Sequence, residues 1–221
     1  MKIAIIGGSF NPVHMGHIVL ADSVCKELGY DKVLFVPALT PPHKEMGEAA
    51  FPEDRLAMVQ AAIAGDPRFE AEPCEIERGG ISYTYDTVLY LQKKYDGRLT
   101  AKIGVVLGTD LYADYGKWNH AEELSETADL ILARRPPDDE CKTEWSVSVE
   151  NHPVGAYDHP QTLISEDTFA YPHKTLVNPE LDISSTDIRA RIASGKQWSS
   201  LVPEPVFHYI VERSLYGYRT V

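Results

Sequence analysis

Lys2-Ile3-Ala4-Ile5-Ile6-Gly7-Gly8-Ser9-Phe10-Asn11-Pro12-Val13-His14-Met15-Gly16-His17 is the stretch from which the architecture can be read. Ile3 to Ile6 are apolar without polar alternation, the pattern of a strand buried on both faces. Gly7 and Gly8 read as a turn. A helix is expected from about His17, since Ile18, Ala21, Val24, Cys25 and Leu28 recur at helical spacing. A strand, a glycine turn and a helix N-terminus together hold phosphate, through unpaired N–H groups and the helix dipole. Pro12 fixes φ and stiffens the loop, and Gly16 is expected to let a ligand approach the backbone. His14 and His17, three apart at the helix start, can point the same way. A neutral imidazole still donates one N–H, so the pair suits a phosphorus centre that gains charge on its non-bridging oxygens.

The same alternation continues along the chain. Strands are expected at Lys32–Val36, Ile103–Leu107 and Asp129–Ala133, with a short one at Leu176 and Val177. Phe69–Ile76 is expected to be extended. Helices are expected at Pro52–Ala64, Thr84–Tyr95, Ser185–Ala193 and Val206–Leu215. This order predicts an α/β fold: a doubly wound parallel sheet covered by helices on both faces, with a small helical C-terminal part over 183–221. One domain over 1–221 is expected. Ligands of such sheets sit at the C-terminal strand ends, at the switch point. The Gly7–His17 turn and Gly108-Thr109-Asp110 both lie at such ends. The segment from Pro136 to Lys174, with five prolines, breaks the pattern. It reads as a surface excursion, an extra hairpin around Trp145–Val149, or an oligomer contact.

Composition narrows the class. The chain has 221 residues, 43% of them hydrophobic, and a formal net charge of −12. That charge opposes nonspecific binding to nucleic acid or anionic membranes, and it leaves small anionic substrates open. No apolar run is long enough for a membrane span, and the first residues lack the features of a signal peptide, so a cytoplasmic location is expected. Cys25, Cys74 and Cys141 are few and far apart, which argues against a disulfide framework or a zinc site. No metal site built by the chain itself is expected. Grouping His14 and His17 with His152, His159 or His173 as a metal site is the weaker reading of the histidines.

Neither G-x-x-x-x-G-K-[ST] nor G-x-G-x-x-G follows the first strand, which argues against a P-loop kinase and a standard dinucleotide-dependent dehydrogenase. Instead, Gly8-Ser9-Phe10-Asn11-Pro12-Val13-His14-Met15-Gly16-His17 resembles the signature of nucleotidyltransferases that join a phosphomonoester to a nucleoside triphosphate. Other pieces follow in order. They are Pro41-Pro42-His43-Lys44, Ser82-Tyr83-Thr84-Tyr85-Asp86-Thr87, Gly108-Thr109-Asp110 with Trp118, Ile183-Ser184-Ser185-Thr186-Asp187-Ile188-Arg189, and Leu201-Val202-Pro203. The set covers nearly the whole chain and resembles the bacterial nicotinate-nucleotide adenylyltransferase family. Thr109, where that family often has alanine, and Arg135-Pro136-Pro137 depart from its pattern.

The resemblance implies a Rossmann-like fold and a direct in-line reaction. The phosphate of nicotinate mononucleotide attacks the α-phosphorus of ATP, and pyrophosphate leaves with no covalent enzyme intermediate. Nicotinamide mononucleotide or another phosphomonoester is the alternative acceptor. Mg²⁺ is expected to ride on the ATP phosphates with few protein ligands. His17 and then His14 are expected at the α-phosphate, Lys44 at the triphosphate, and Arg189 at the departing pyrophosphate. For ATP the resemblance adds Gly7, Gly8, Ser9 and Phe10, then Gly108 and Asp110, then Ile183, Ser184, Ser185 and Thr186. For the nicotinate nucleotide it implies Ser9, Asn11, Lys44, Tyr83, Thr84 and Trp118. From the residues alone, Asp110 is almost as readily a cap of the next helix. The plainer readings of the other two are a core or lid residue for Trp118 and a surface ion pair with Asp187 or a neighbour for Arg189.

Overall fold

The computed structural model describes residues 1–40, 50–133, 169–179 and 181–219. Six strands form one sheet: β1 Ile3–Gly8, β2 Lys32–Pro37, β3 Phe69–Ala71, β4 Gly104–Gly108, β5 Asp129–Ala133 and β6 His173–Leu176. Their order is β3-β2-β1-β4-β5-β6, and every neighbouring pair is parallel. The chain winds out through β2 and β3, then returns to lay β4 on the other side of β1. The switch point therefore lies between the C-terminal ends of β1 and β4, where ligands of such sheets bind.

Around the sheet, the described residues form seven α-helices: α1 Met15–Leu28, α2 Pro52–Ile63, α3 Cys74–Arg78, α4 Thr84–Lys94, α5 Ala121–Thr127, α6 Ser185–Ala193 and α7 Glu204–Glu212. Strand side chains alternate between two cores. Ile3, Ile5, Leu34, Val105, Leu107 and Leu130 pack with Val88 and Leu91 of α4 and Leu124 of α5. Ala4, Ile6, Val33, Phe35, Val106 and Ile131 pack with residues of α1, α2, α6 and α7, among them Val24, Val59, Ile188 and Ile210. Both alternating sets are apolar, which is why these strands appear in the sequence as continuous apolar runs. In β4, a Cβ at Gly104 would lie 2.7 Å from both the Tyr30 hydroxyl and Ile131 Cδ1, so only glycine fits between those side chains.

The doubly wound sheet and the helical C-terminal part are as expected, with local differences. Gly7 and Gly8 are not a turn but the last two residues of β1, paired with Val36 and Pro37. α1 begins at Met15 and ends before Gly29, whose φ of 65° is the left-handed conformation of a helix C-cap. Phe69–Ile76 is extended only as far as Ala71, and Cys74 and Glu75 are buried in α3 instead. α5 is a helix with only Ala121 and Leu124 buried, too few to show a period. The last strand is His173–Leu176, so it enters the segment set aside as an excursion, and Val177 is exposed. Most of Pro136–Lys174, including Trp145–Val149, lies outside the described residues, as do Cys141 and Arg135-Pro136-Pro137. Among the described residues, no helix is long and apolar enough to cross a membrane.

Candidate functional site

Beyond β1 the chain turns at Phe10, whose φ is 44°, and at a cis peptide between Asn11 and Pro12. Positive φ at a bulky residue is strained, by roughly 1–3 kcal/mol. The buried Phe10 ring makes an edge contact with His17 at 5.0 Å and packs on Phe35 at 5.8 Å.

This loop delivers the histidines. His14 is the N-cap of α1, and His17 is its third residue. Their rings lie 3.7 Å apart between centroids, with His14 buried and His17 half-buried. The backbone N–H of His14 donates to His17 Nδ1 at 3.2 Å. Nδ1 is therefore an acceptor, and the proton of the neutral His17 ring sits on Nε2, the nitrogen facing away from that bond. A Cβ at Gly16 would lie 3.1 Å from His14 Cε1 and Nδ1. The glycine thus makes room for the His14 imidazole, where the sequence suggested room for a ligand.

Three elements brace the loop. Arg55 of α2 is 1% exposed, and its Nη1 donates to Ser9 O and to Ala38 O, each at 2.7 Å. One buried guanidinium nitrogen thus joins the segments that leave β1 and β2, and burial lowers its pKa. From α6, Ser185 Oγ donates to Pro12 O at 2.9 Å and Arg189 Nη1 to Asn11 O at 2.8 Å. Ser184 Oγ accepts the Asp187 N–H at 3.1 Å and so caps α6. Asp187 pairs with Arg191 at 2.6 Å, not with Arg189. Near the C-terminus, Tyr216 donates to Asn11 Oδ1 at 2.8 Å, and the same oxygen accepts the Ala50 N–H at 3.1 Å. Asn11, expected at the nicotinate nucleotide, thus has its side-chain oxygen committed to the protein. Ile183 is half-buried against the core and Thr186 is exposed.

Across the switch point, Gly108 ends β4 and Asp110 lies exposed in the turn that follows. Thr109 Oγ1 donates to Ala133 O at 3.3 Å, which ties that turn to the end of β5. Further out, Ser82 Oγ accepts the Leu39 N–H at 3.0 Å, and Thr87 Oγ1 donates to Glu75 Oε1 at 2.7 Å. Glu75 is buried, and desolvation raises its pKa against hydrogen bonds from Thr87 and Ser82 and the charge of Arg78. Tyr83 is the N-cap of α4 with no side-chain cap bond, and Thr84 is the first helical residue. Trp118 is half-buried, 5.4 Å from the Tyr115 ring, and packs on the core that includes α4. Lys44 lies outside the described residues. The structure therefore brings His14, His17, Ser185 and Arg189 to one loop. Arg55, Glu75 and Tyr216 were not singled out from the sequence. Arg55 had left one signal, a charge at helical spacing with the buried Val59.

Among the described residues, no three His, Cys, Asp or Glu side chains group as a metal cage. The donors gathered at the loop are imidazoles, a guanidinium and helix N-termini, groups whose chemistry suits phosphate oxygens.

The chain is similar to known proteins in sequence and in fold. The family model described as cytidylyltransferase-like matches residues 5–191. A Treponema pallidum protein named "Probable nicotinate-nucleotide adenylyltransferase" is 39% identical over 216 residues, 98% of this chain and 99% of that protein. A Lactiplantibacillus plantarum protein of the same name is 35% identical, covering 97% of this chain and 88% of its own. A solved Plasmodium falciparum nicotinic acid mononucleotide adenylyltransferase, complexed with NaAD, superposes with a TM-score of 0.69. It is 18% identical and the match covers 99% of this chain and 98% of that one, a likeness of fold.

Proposed function

We propose that this chain, which belongs to the cytidylyltransferase-like family and is 32–39% identical to members named nicotinate-nucleotide adenylyltransferase, transfers the adenylyl group of ATP to nicotinate mononucleotide. A phosphate oxygen of the mononucleotide attacks the α-phosphorus. The bond to the bridging oxygen breaks, pyrophosphate leaves, and nicotinate adenine dinucleotide forms. The observation that carries this reading is the His14–His17 pair, rings in tilted contact at the start of α1 beside the switch point.

His17 presents its Nε2–H to the α-phosphate, and the His14 backbone N–H fixes that tautomer. The donor is preorganised, so it stabilises charge that develops on the non-bridging oxygens without reorganising. Arg189 leaves the start of α6 beside the loop, where its fork can meet the departing pyrophosphate. Lys44 adds a point charge to the triphosphate. Gly7, Gly8, Ser9 and Phe10 line the strand end under the nucleotide, and Gly108 and Asp110 take the ribose side. Nucleotidyltransferases of this kind generally use a divalent metal with ATP, and Mg²⁺ carried on the phosphates fits a site rich in phosphate donors. When bound, it neutralises charge on the leaving phosphates. The uncapped N-terminus of α4, with Thr84, offers the nicotinate carboxylate a positive dipole end, and Trp118 offers its ring an aromatic face.

The test is pyrophosphate release with ATP, Mg²⁺ and the acid or amide mononucleotide in parallel. The reading expects turnover with the acid and a kcat/KM for the acid at least about ten-fold that for the amide. Turnover with the amide alone would reassign the acceptor, and none with either would refute the activity.

A further inference from the structure

The last residues of the chain reach back into the loop that carries the histidines. After α7 the backbone takes positive φ at Ser214, 49°, and at Tyr216, 57°. Left-handed backbone is costly at a tyrosine, so the reversal is held by what the side chain reaches. The Tyr216 hydroxyl donates to Asn11 Oδ1, a bond across 205 residues of sequence. Asn11 is 6% exposed and also receives Ala50 and Arg189, from 39 and 178 residues away. It sits between the strained Phe10 and Pro12, three residues before His14. Burial raises the Tyr216 pKa while the nearby charges of Arg189 and Arg55 oppose the rise. The hydroxyl is thus a neutral donor set among the groups that brace the loop.

A neighbouring tyrosine makes a useful contrast. Tyr209 of α7 donates to Asp54 at 2.8 Å, and Arg213 reaches the same oxygen at 3.1 Å. The hydrogen bonds of that pair tie α7 to α2 and go to Asp54 rather than to Asn11.

We propose that Tyr216 is a positioning residue for adenylyl transfer: through Asn11 it holds the His14–His17 loop in its reactive shape. The C-terminal turn then sets geometry at the N-terminal phosphate site. This rests on the adenylyl-transfer reading above, and misplacing reacting groups by a fraction of an ångström lowers kcat more than binding.

The test compares Tyr216→Phe with Tyr209→Phe, each losing one hydroxyl and keeping its ring. Tyr216→Phe is expected to lower kcat about ten-fold, with KM for ATP within about three-fold of wild type. Tyr209→Phe is expected to keep kcat within about two-fold of wild type. Asn11→Ala combined with Tyr216→Phe should be no slower than Asn11→Ala alone, because the two act through one bond. A second readout needs no turnover: the imidazole Cε1–H resonances of His14 and His17 in the ligand-free full chain. They should shift in Tyr216→Phe and stay in place in Tyr209→Phe. If wild type releases no pyrophosphate, the activity reading falls and the catalytic part of this role with it, while the resonances still decide whether Tyr216 holds the histidine loop. Unshifted resonances in Tyr216→Phe, or a kcat equal to wild type in an active enzyme, would overturn it.

Discussion

His17 shows how a small backbone detail sets chemistry. Because the His14 N–H occupies Nδ1, the ring can offer only Nε2–H to a ligand. Glu75 shows the same logic for a buried acid. Its pKa is raised above the ordinary 4.5, mainly by desolvation. A carboxyl whose folded pKa is raised binds its proton more tightly when folded, so its contribution to stability is greatest below 4.5 and declines as pH rises through the folded value. Glu75→Gln keeps a partner for the Thr87 hydroxyl and removes the titration. The melting temperature of Glu75→Gln should therefore gain on wild type as pH is raised from about 4 to 8. A constant gap between the two across that range would show that Glu75 is not a strained buried acid. Neither Arg55 nor Glu75 stood out in the sequence, since charged residues are seldom fully buried and neither the carbonyls that Arg55 meets nor the hydroxyls that Glu75 meets leave a pattern there.

Helix α6 shows what could be read from an element and what could not. Ser184-Ser185-Thr186-Asp187 has the spacing of a capping box, and the Ser184 hydroxyl does accept the Asp187 N–H. What the pattern could not show is that Ser185 and Arg189 of the same helix fasten to Pro12 and Asn11, more than 170 residues earlier. Hydrogen bonds of that range leave no period in a sequence. Removing the cap with Ser184→Ala should cost about 1 kcal/mol of stability, read as a lower urea midpoint at unchanged slope. The KM for ATP should rise as the first turn of α6 loosens, and an unchanged midpoint would mean that the cap bond carries no weight. α3 and β6 were misread for a different reason. Each is short, and the signals of burial and of period need more residues than Cys74–Arg78 or His173–Leu176 supply.

The described residues build a single parallel sheet between two cores, and its winding brings the ends of β1 and β4 together. That much followed from apolar runs alternating with amphipathic helices, because both faces of the sheet are buried. The site is assembled differently. The histidine pair lies in the first seventeen residues, and the loop that carries it is braced by α2, α6 and the C-terminal turn. The central claim is that this braced histidine pair performs α-phosphoryl transfer. The most direct measurement is kcat for pyrophosphate release from ATP and nicotinate mononucleotide by wild type and His17→Ala, with ATP binding followed by calorimetry. The account predicts that kcat falls about 10²–10³-fold while the Kd for ATP changes by less than about three-fold. Full turnover by His17→Ala would contradict it.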